Sequence, residues 1–173
     1  MKGVVTAWSL LTLNASDTQF AGNEGYDDRL ESYYSWDSTV PSHARVSVGD
    51  IAVPRDSSCF FGLARIADIT TRTGDKDRFR CPNCRHTGFK ARTTVSPHYR
   101  CYACKAEFDA PQTDRIRGVV FYKAEYGKTW RPFAPTLRIS ELDSAYVNRS
   151  AQHAIREMDT AVLRNLGVSL EAV

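Results

Sequence analysis

The chain has 173 residues, of which 42% are hydrophobic and 25% are charged, as in an ordinary globular protein. It contains no apolar run of the ~18 residues that a transmembrane helix needs, so no membrane partner is expected. Its net charge of +3 is unevenly spread, because Arg65 to Lys105 carries ten Lys and Arg against three Asp and Glu. The first thirteen residues lack the cleavage site of a signal peptide.

The N-terminal part of the chain alternates predicted strands with one long loop. β-Branched and aromatic residues predict a buried first strand from Gly3 to Leu10. The polar, aromatic segment 14–37 follows, and a connection of this length is usually functional. Two short strands are predicted at 45–48 and 51–53, the second of them ended by Pro54.

The remainder of the chain begins with its longest strand signal, from Cys59 to Ile69, where Gly62 indicates a bulge or a sharp bend. Beyond the cysteine-rich segment, a strand at 117–123 is predicted to pair across a turn with a short strand at 129–133. Apolar residues at helical spacing then predict a C-terminal helix that stops at a glycine. These residues are Ala151, Ile155, Met158, Val162 and Leu166, with Gly167 as the stop.

Two C-x-x-C pairs are the most specific motif in the sequence. Cys81 and Cys84 are separated by sixteen residues from Cys101 and Cys104. This spacing is typical of a zinc ribbon, in which four thiolates close a tetrahedral structural site with no open position for water or substrate. A redox-active C-x-x-C pair is the alternative, but such a pair functions alone and does not require a second C-x-x-C motif. Committing four of the five cysteines to metal indicates a reducing compartment, and we expect a cytoplasmic protein.

The predicted ribbon and the segment leading into it are strongly basic. We expect their cationic side chains to contact nucleic-acid phosphates, which gives salt-dependent affinity. A solvated charged face is the alternative. The candidate phosphate-binding residues are Arg78, Arg80, Arg85, Lys90, Arg92 and Arg100.

The long aromatic loop is the second notable feature. Rings flanked by Asp and Ser suit a pocket for a flat heterocycle, since rings stack on its faces and polar groups read its edge. The alternative is that these rings are ordinary core. The candidate pocket residues are Trp8 (from the first strand), Tyr26, Asp28, Tyr33, Tyr34 and Trp36.

No catalytic constellation stands out in the sequence. The four histidines are isolated, and no metalloprotease, nucleophile-elbow or phosphate-loop motif is present. Asp27, Asp28 and Glu31 are close in sequence, but a solvated acidic loop accounts for them. We therefore expect a binding protein with no enzymatic activity of its own.

The order of elements predicts an α+β fold, namely a small, curved, mixed β-barrel with peripheral helices and an inserted four-cysteine zinc ribbon. The barrel with its C-terminal helix is assigned to 1–71 and 112–173, and the ribbon to 72–111.

Several segments resemble a known group of proteins. They are Tyr26-Asp27, Tyr33–Trp36, Pro41, Val48–Asp56 and Phe61–Ile66. Together they are similar to the N-terminal recognition modules of modification-dependent (type IV) HNH restriction endonucleases. The Gly-Asp before a strand also looks like the PUA superfamily, which includes the EVE, YTH, ASCH and SRA-type readers of modified bases.

The resemblance implies a PUA-like barrel that binds double-stranded DNA, flips a modified base (a modified cytosine) into an aromatic pocket, and targets a restriction endonuclease. No HNH motif occurs in these residues, so the resemblance implies either that a nuclease domain follows Val173 or that the reader acts alone. The alternatives are an RNA-binding reader of the same fold, a protein-interaction module rigidified by zinc, and an enzyme that acts on a nucleobase through Asp27 or Asp28.

Overall fold

The computed structural model describes residues 5–12, 26–150 and 153–173. These residues form a mixed α+β structure dominated by strands, as the sequence predicts. The strands are β1 (Ala7–Leu11), β2 (Tyr33–Asp37), β3 (Ile51–Arg55), β4 (Cys59–Arg65), β5 (Asp68–Arg80), β6 (Phe89–Ala91), β7 (Tyr99–Cys101), β8 (Glu107–Phe108), β9 (Gln112–Glu125), β10 (Arg131–Arg138) and β11 (Ile155–Met158). The α-helices are α1 (Ile139–Leu142) and α2 (Thr160–Asn165).

The chain divides into two compact units. The first contains the described residues of Met1–Thr12, Asp27–Arg72 and Val120–Val173. The second contains Tyr26 and Thr73–Val119. The long strands β5 and β9 each contribute residues to both units.

The first unit is built on a five-stranded sheet with the order β10-β4-β3-β1-β11. Strands β1 and β3 are parallel, and the other neighbours are antiparallel. Separately, β2 pairs with the Phe121–Glu125 end of β9. The edge strands β10 and β11 lie at opposite ends of the order, so the sheets of the described residues are not closed into a barrel. The predicted barrel closure is therefore wrong.

Both faces of the central sheet are buried, which explains why β1 and β3 are apolar on both sides except at Ser9 and Arg55. One face packs against α1 and α2 through Leu142 and Leu163. The other face packs Trp8 and Leu10 against rings of β2. The peripheral helices thus cover one side only. Helix α2 begins after Asp159, whose carboxylate accepts hydrogen bonds from two backbone N–H groups, and Gly167 follows it with a φ of 85°.

Several strand and helix predictions for this unit are wrong, among them the strand at 45–48, where the structure has turns and irregular backbone. Residues 155–158, predicted as helix, form the strand β11, because antiparallel pairing with β1 outweighs a short helical period. The strand after residue 130 pairs with β4 and not with β9. Gly62 lies at that contact, where an added Cβ would be 2.4 Å from the Arg131 carbonyl oxygen.

Strand β3 does not stop at Pro54, as the sequence had predicted, but runs on to Arg55. Proline has no N–H to donate, and the pairing of β3 with β4 is irregular between Ala52 and Arg55. The irregularity accommodates the proline and lets Arg55 continue along the sheet.

The second unit contains the cysteine-rich segment as a small antiparallel sheet with the order β6-β7-β8. Its core consists of Cys81, Phe89, Cys101 and Phe108. The Phe89 ring contacts Phe108 edge-on, with centroids 5.3 Å apart. Such a small core provides little hydrophobic stabilisation, which makes a cross-link at the cysteines necessary.

Candidate metal centre and basic groove

The four predicted ligand residues come together. The sulfur atoms of Cys81, Cys84, Cys101 and Cys104 all lie within 4.8 Å of one another. The closest pairs are Cys84–Cys101 at 3.6 Å and Cys81–Cys104 at 3.7 Å. Four sulfurs clustered in this way are compatible with a metal site of the four-cysteine type.

The two C-x-x-C turns, here called knuckles (81–85 and 101–105), have the same backbone hydrogen bonds and nearly the same φ at their last residue. The carbonyl of Cys81 accepts from the N–H of Arg85 (2.8 Å), and that of Cys101 accepts from the N–H of Lys105 (3.1 Å). Arg85 and Lys105, each one residue past the second cysteine, adopt φ of 62° and 64°. These residues occupy the left-handed region without being glycine, so each knuckle holds a sparsely populated conformation that presents its two sulfurs.

Equivalent hydrogen bonds close each knuckle from the other side. The N–H of Cys81 donates to the His86 carbonyl, and the N–H of Cys101 donates to the Ala106 carbonyl, both at 2.9 Å. Hydrogen bonds from the Asn83 side chain and the Ala106 backbone lower the pKa of Cys104 to about 6. A hydrogen bond from the His86 backbone lowers the pKa of Cys84, but desolvation and the other three thiols outweigh it and raise that pKa to about 12. Cys104 alone of these two therefore favours the thiolate form that binds metal.

A groove lies beside the second knuckle. It has a volume of about 370 Å³ and is lined by Lys90, Arg92, Arg100, Cys101, Tyr102 and Lys105. Lys90 on β6 is directly opposite Arg100 on β7. Like charges at directly opposed strand positions are destabilising, so the pair is favourable only where an anion offsets the repulsion.

One acidic residue moderates the charge of this groove. Glu107 on β8 is opposite Arg100 and forms a 2.7 Å ion pair with Arg92. The guanidinium of Arg92 also donates to the Pro97 carbonyl, which ties down the 92–98 loop. Among the described residues, Lys90, Arg100 and Lys105 form no ion pair within 4.0 Å. The groove therefore keeps an excess of three positive charges.

The other predicted phosphate contacts are arranged differently. Arg80 and Arg85 share the carboxylate of Asp114, the first through Nε and the second at 2.8 Å. Arg80 above all, and then Arg85, holds the pKa of Asp114 below its ordinary value. Arg78 is half-buried, and its Nε is buried without a hydrogen-bond partner. The structure thus places Lys90, Arg92 and Arg100 together and leaves Arg78, Arg80 and Arg85 outside the groove lining.

Sequence reasoning missed two groove residues, Tyr102 and Lys105. Both belong to the second knuckle and have exposed side chains. Tyr102 lies between the two cysteines, and Lys105 follows the second of them. Tyr102 is 50% exposed, and the Lys105 ammonium donates to the Tyr102 carbonyl at 2.7 Å. Their position within and just after a C-x-x-C pair was the available signal.

Three of the predicted pocket rings are core residues. Trp8, Tyr34 and Trp36 are 1–2% exposed. The Trp8 indole N–H donates to Asp50 at 2.8 Å, and Trp36 stacks on Tyr122 with centroids 5.2 Å apart. Contrary to the expected open pocket, these rings present no face to a base, because β2 packs them against the central sheet.

The remaining pocket candidates of the first unit form a polar cluster at the start of β2. The Tyr33 hydroxyl donates to Asp27 at 3.1 Å, and the Ser35 N–H donates to Asp28 at 2.6 Å. Lys123 lies 3.9 Å from the centre of the Tyr33 ring. Burial raises the pKa of Asp28 to about 6 despite the Ser35 hydrogen bond. Burial, with the charge of Asp28, also raises the pKa of Tyr126.

Tyr26 belongs to the second unit. Its hydroxyl accepts a hydrogen bond from Lys76 at 3.1 Å, and the ammonium of that lysine lies 4.9 Å from the ring centre. Within the first unit, the rings of Trp8, Tyr34 and Trp36 are buried, so the structure does not form the predicted open pocket there.

No family model matches this chain, and no match was found among curated proteins or solved structures. Within the described ranges, no helix is both long enough and apolar enough to cross a membrane.

Proposed function

We propose that this protein binds nucleic acid and that its metal-organised ribbon holds the phosphate backbone. The observation that carries the proposal is the cross-strand pair Lys90–Arg100 beside Lys105 in a single groove. Three cations that form no ion pair within 4.0 Å among the described residues are costly to hold together, and a polyanion offsets their repulsion.

The metal proposed for the four cysteines is zinc in a structural role. Sulfur ligands in a closed set of four are characteristic of structural zinc. Bound there, zinc supplies a cross-link and no open coordination position. The residues of this chain supply the rest, because the two knuckles fix β6 and β7 and so hold the groove in shape.

The proposed partner is double-stranded DNA carrying a modified base, in the manner of the PUA-like readers that the sequence resembles. The support for base recognition within the first unit is narrower than the sequence indicated. It consists of the partly exposed Tyr33 ring and the Asp28 carboxyl, whose pKa of about 6 allows it to accept or donate a hydrogen bond near neutrality. A modified cytosine is the proposed base, and a nuclease is the proposed partner domain.

A binding panel tests the proposal. Fluorescence anisotropy would compare duplexes of one sequence that carry cytosine, 5-methylcytosine, 5-hydroxymethylcytosine or N6-methyladenine. We expect salt-sensitive binding to all of them and tighter binding to one modified cytosine. Equal affinity for every duplex would remove base recognition and leave phosphate binding. Absence of binding to any nucleic acid would refute the proposal as a whole.

Single-stranded nucleic acid, including RNA, is the second candidate partner. The exposed Tyr102 ring lies in a groove lined by cations, an arrangement that suits a stacked base beside a bound phosphate. Adding single-stranded DNA and RNA of the same sequence to the panel separates the candidates. Single strands should bind more tightly than duplex if Tyr102 acts as a stacking platform, and Tyr102→Ala should then remove that preference.

A further inference from the structure

In the part of the first unit that the structure describes, two arginines are buried without a direct ion pair. Arg55 and Arg156 are 7% and 8% exposed. Among the described residues, neither forms an ion pair within 4.0 Å. Buried charges are ordinarily paired, because an uncompensated charge in the interior is strongly unfavourable.

The strand register brings the two arginines to one face of the central sheet. Arg156 on β11 is opposite Ser9 on β1, and Arg55 on β3 is opposite Leu11. Because alternate residues of a strand share a face, Ser9 and Leu11 lie on the same side, and so do the two arginines. The like charge of Arg156 contributes, after burial, to lowering the pKa of Arg55.

Neutral groups satisfy the two guanidinium groups only in part. Arg55 donates through Nε to the Ser9 hydroxyl at 2.8 Å and through Nη1 to the Asp56 carbonyl at 3.0 Å. The Ser9 hydroxyl is in turn 3.0 Å from that of Tyr146. Arg156 lies 3.3 Å above the centre of the Tyr146 ring and donates through Nη2 to the Asn148 carbonyl. Its Nε is buried with no hydrogen-bond partner.

The nearest acidic side chains are committed elsewhere. One oxygen of Asp56 accepts from the N–H groups of Ser58 and Cys59 and from the Ser58 hydroxyl, which closes the turn before β4. Glu157, adjacent to Arg156, pairs with Arg45. Among the described residues, the carboxylate of Asp56 therefore acts on Arg55 only through its charge, without a direct ion pair, and Glu157 is engaged by Arg45.

We propose that Arg55 and Arg156, with the hydroxyls of Ser9 and Tyr146, form a binding site for a phosphate dianion. A dianion balances two guanidinium charges, whereas a carboxylate would leave one uncompensated. Guanidinium N–H groups and hydroxyls are the donors that phosphate oxygens accept from. The slight exposure of both arginines favours a small ligand, either free phosphate or the terminal phosphate of a nucleotide. This site is independent of the ribbon groove.

Calorimetric titration of the full chain with inorganic phosphate tests the site, provided that the ribbon groove cannot contribute. The chain used therefore carries Lys90→Gln, Arg100→Gln and Lys105→Gln, and sodium chloride at equal ionic strength is the blank. We expect one phosphate bound per chain. In the same background, Arg156→Met should weaken phosphate binding at least about tenfold, the loss of one charge-assisted hydrogen bond. Arg138→Gln on the exposed end of β10 is the control and should leave binding unchanged.

Thermal unfolding in phosphate-free buffer supplies the second readout. Because Arg156 is uncompensated without its ligand, the Arg156→Met chain should be folded and at least as stable as its parent. Lack of phosphate binding by the parent, unchanged affinity in Arg156→Met, or an unfolded Arg156→Met chain would each overturn the site. A titration with adenosine monophosphate distinguishes the two candidate ligands. If adenosine monophosphate binds more tightly than inorganic phosphate, the ligand is a nucleotide; if it binds equally or more weakly, the ligand is free phosphate.

Discussion

Neutralising the opposed pair in the ribbon groove should change how salt weakens nucleic-acid binding. Three groove cations, Lys90, Arg100 and Lys105, form no ion pair within 4.0 Å among the described residues. Each phosphate neutralised on duplex DNA contributes a slope of about −0.9 to a plot of log affinity against log salt, so three predict about −2.7. A fourfold rise in salt would then weaken binding about forty-fold.

The double variant Lys90→Gln/Arg100→Gln should reduce the slope by about 1.8, leaving about −0.9. Anisotropy titrations of an unmodified duplex over a range of potassium chloride concentrations measure it. Arg131→Gln/Arg138→Gln is the matched control, since it removes the same charge from exposed positions of the first unit. An unchanged slope in the groove variant, or an equal reduction in the control, would refute the assignment of phosphate contacts to this groove.

Two further predictions concern the first unit. The pKa of Asp28, about 6, is raised above its unfolded value of about 4, so its charge costs stability as pH rises from 4 to 6 and above. Asp28→Asn, which keeps an oxygen for the Ser35 N–H, should therefore stabilise the chain by about 1–3 kcal/mol at pH 7.5 and much less at pH 4, as measured by urea unfolding. An equal effect at both pH values would contradict the burial argument. Gly62→Ala should destabilise by about 1–3 kcal/mol, because its Cβ meets the Arg131 carbonyl at 2.4 Å and the Trp130 ring at 2.7 Å. An unchanged free energy of unfolding in the same assay would show that β10 moves to accommodate the added Cβ without loss of stability.

The four-cysteine cluster could be predicted from the sequence because its determinants are local. Each C-x-x-C encodes its own knuckle, and sixteen intervening residues suffice for two short strands that bring the knuckles together. The basic character of the ribbon was equally visible. The pairing of Arg80 and Arg85 with Asp114 was not, since it depends on contacts about thirty residues apart.

The residue pattern of the aromatic loop fits two different structures, an open stacking pocket and a buried core. Tyr33, Tyr34 and Trp36 have the composition of a stacking pocket, but alternation along β2 sends Tyr34 and Trp36 inward and leaves Tyr33 half-buried. Only the position of β2 against the central sheet decides between these two structures. The same limit applies to Ile155 and Met158, whose spacing suits a helix until β1 supplies a strand partner.

Removing and restoring the metal tests the central claim most directly. All three tryptophans, Trp8, Trp36 and Trp130, lie in the first unit, so their fluorescence reports that unit while anisotropy reports DNA binding. A zinc chelator should abolish binding without shifting tryptophan emission, and one equivalent of zinc per chain should restore it. Full DNA binding by a chain shown by elemental analysis to be metal-free would contradict the account, because DNA binding by the groove would then not depend on metal bound at the four cysteines.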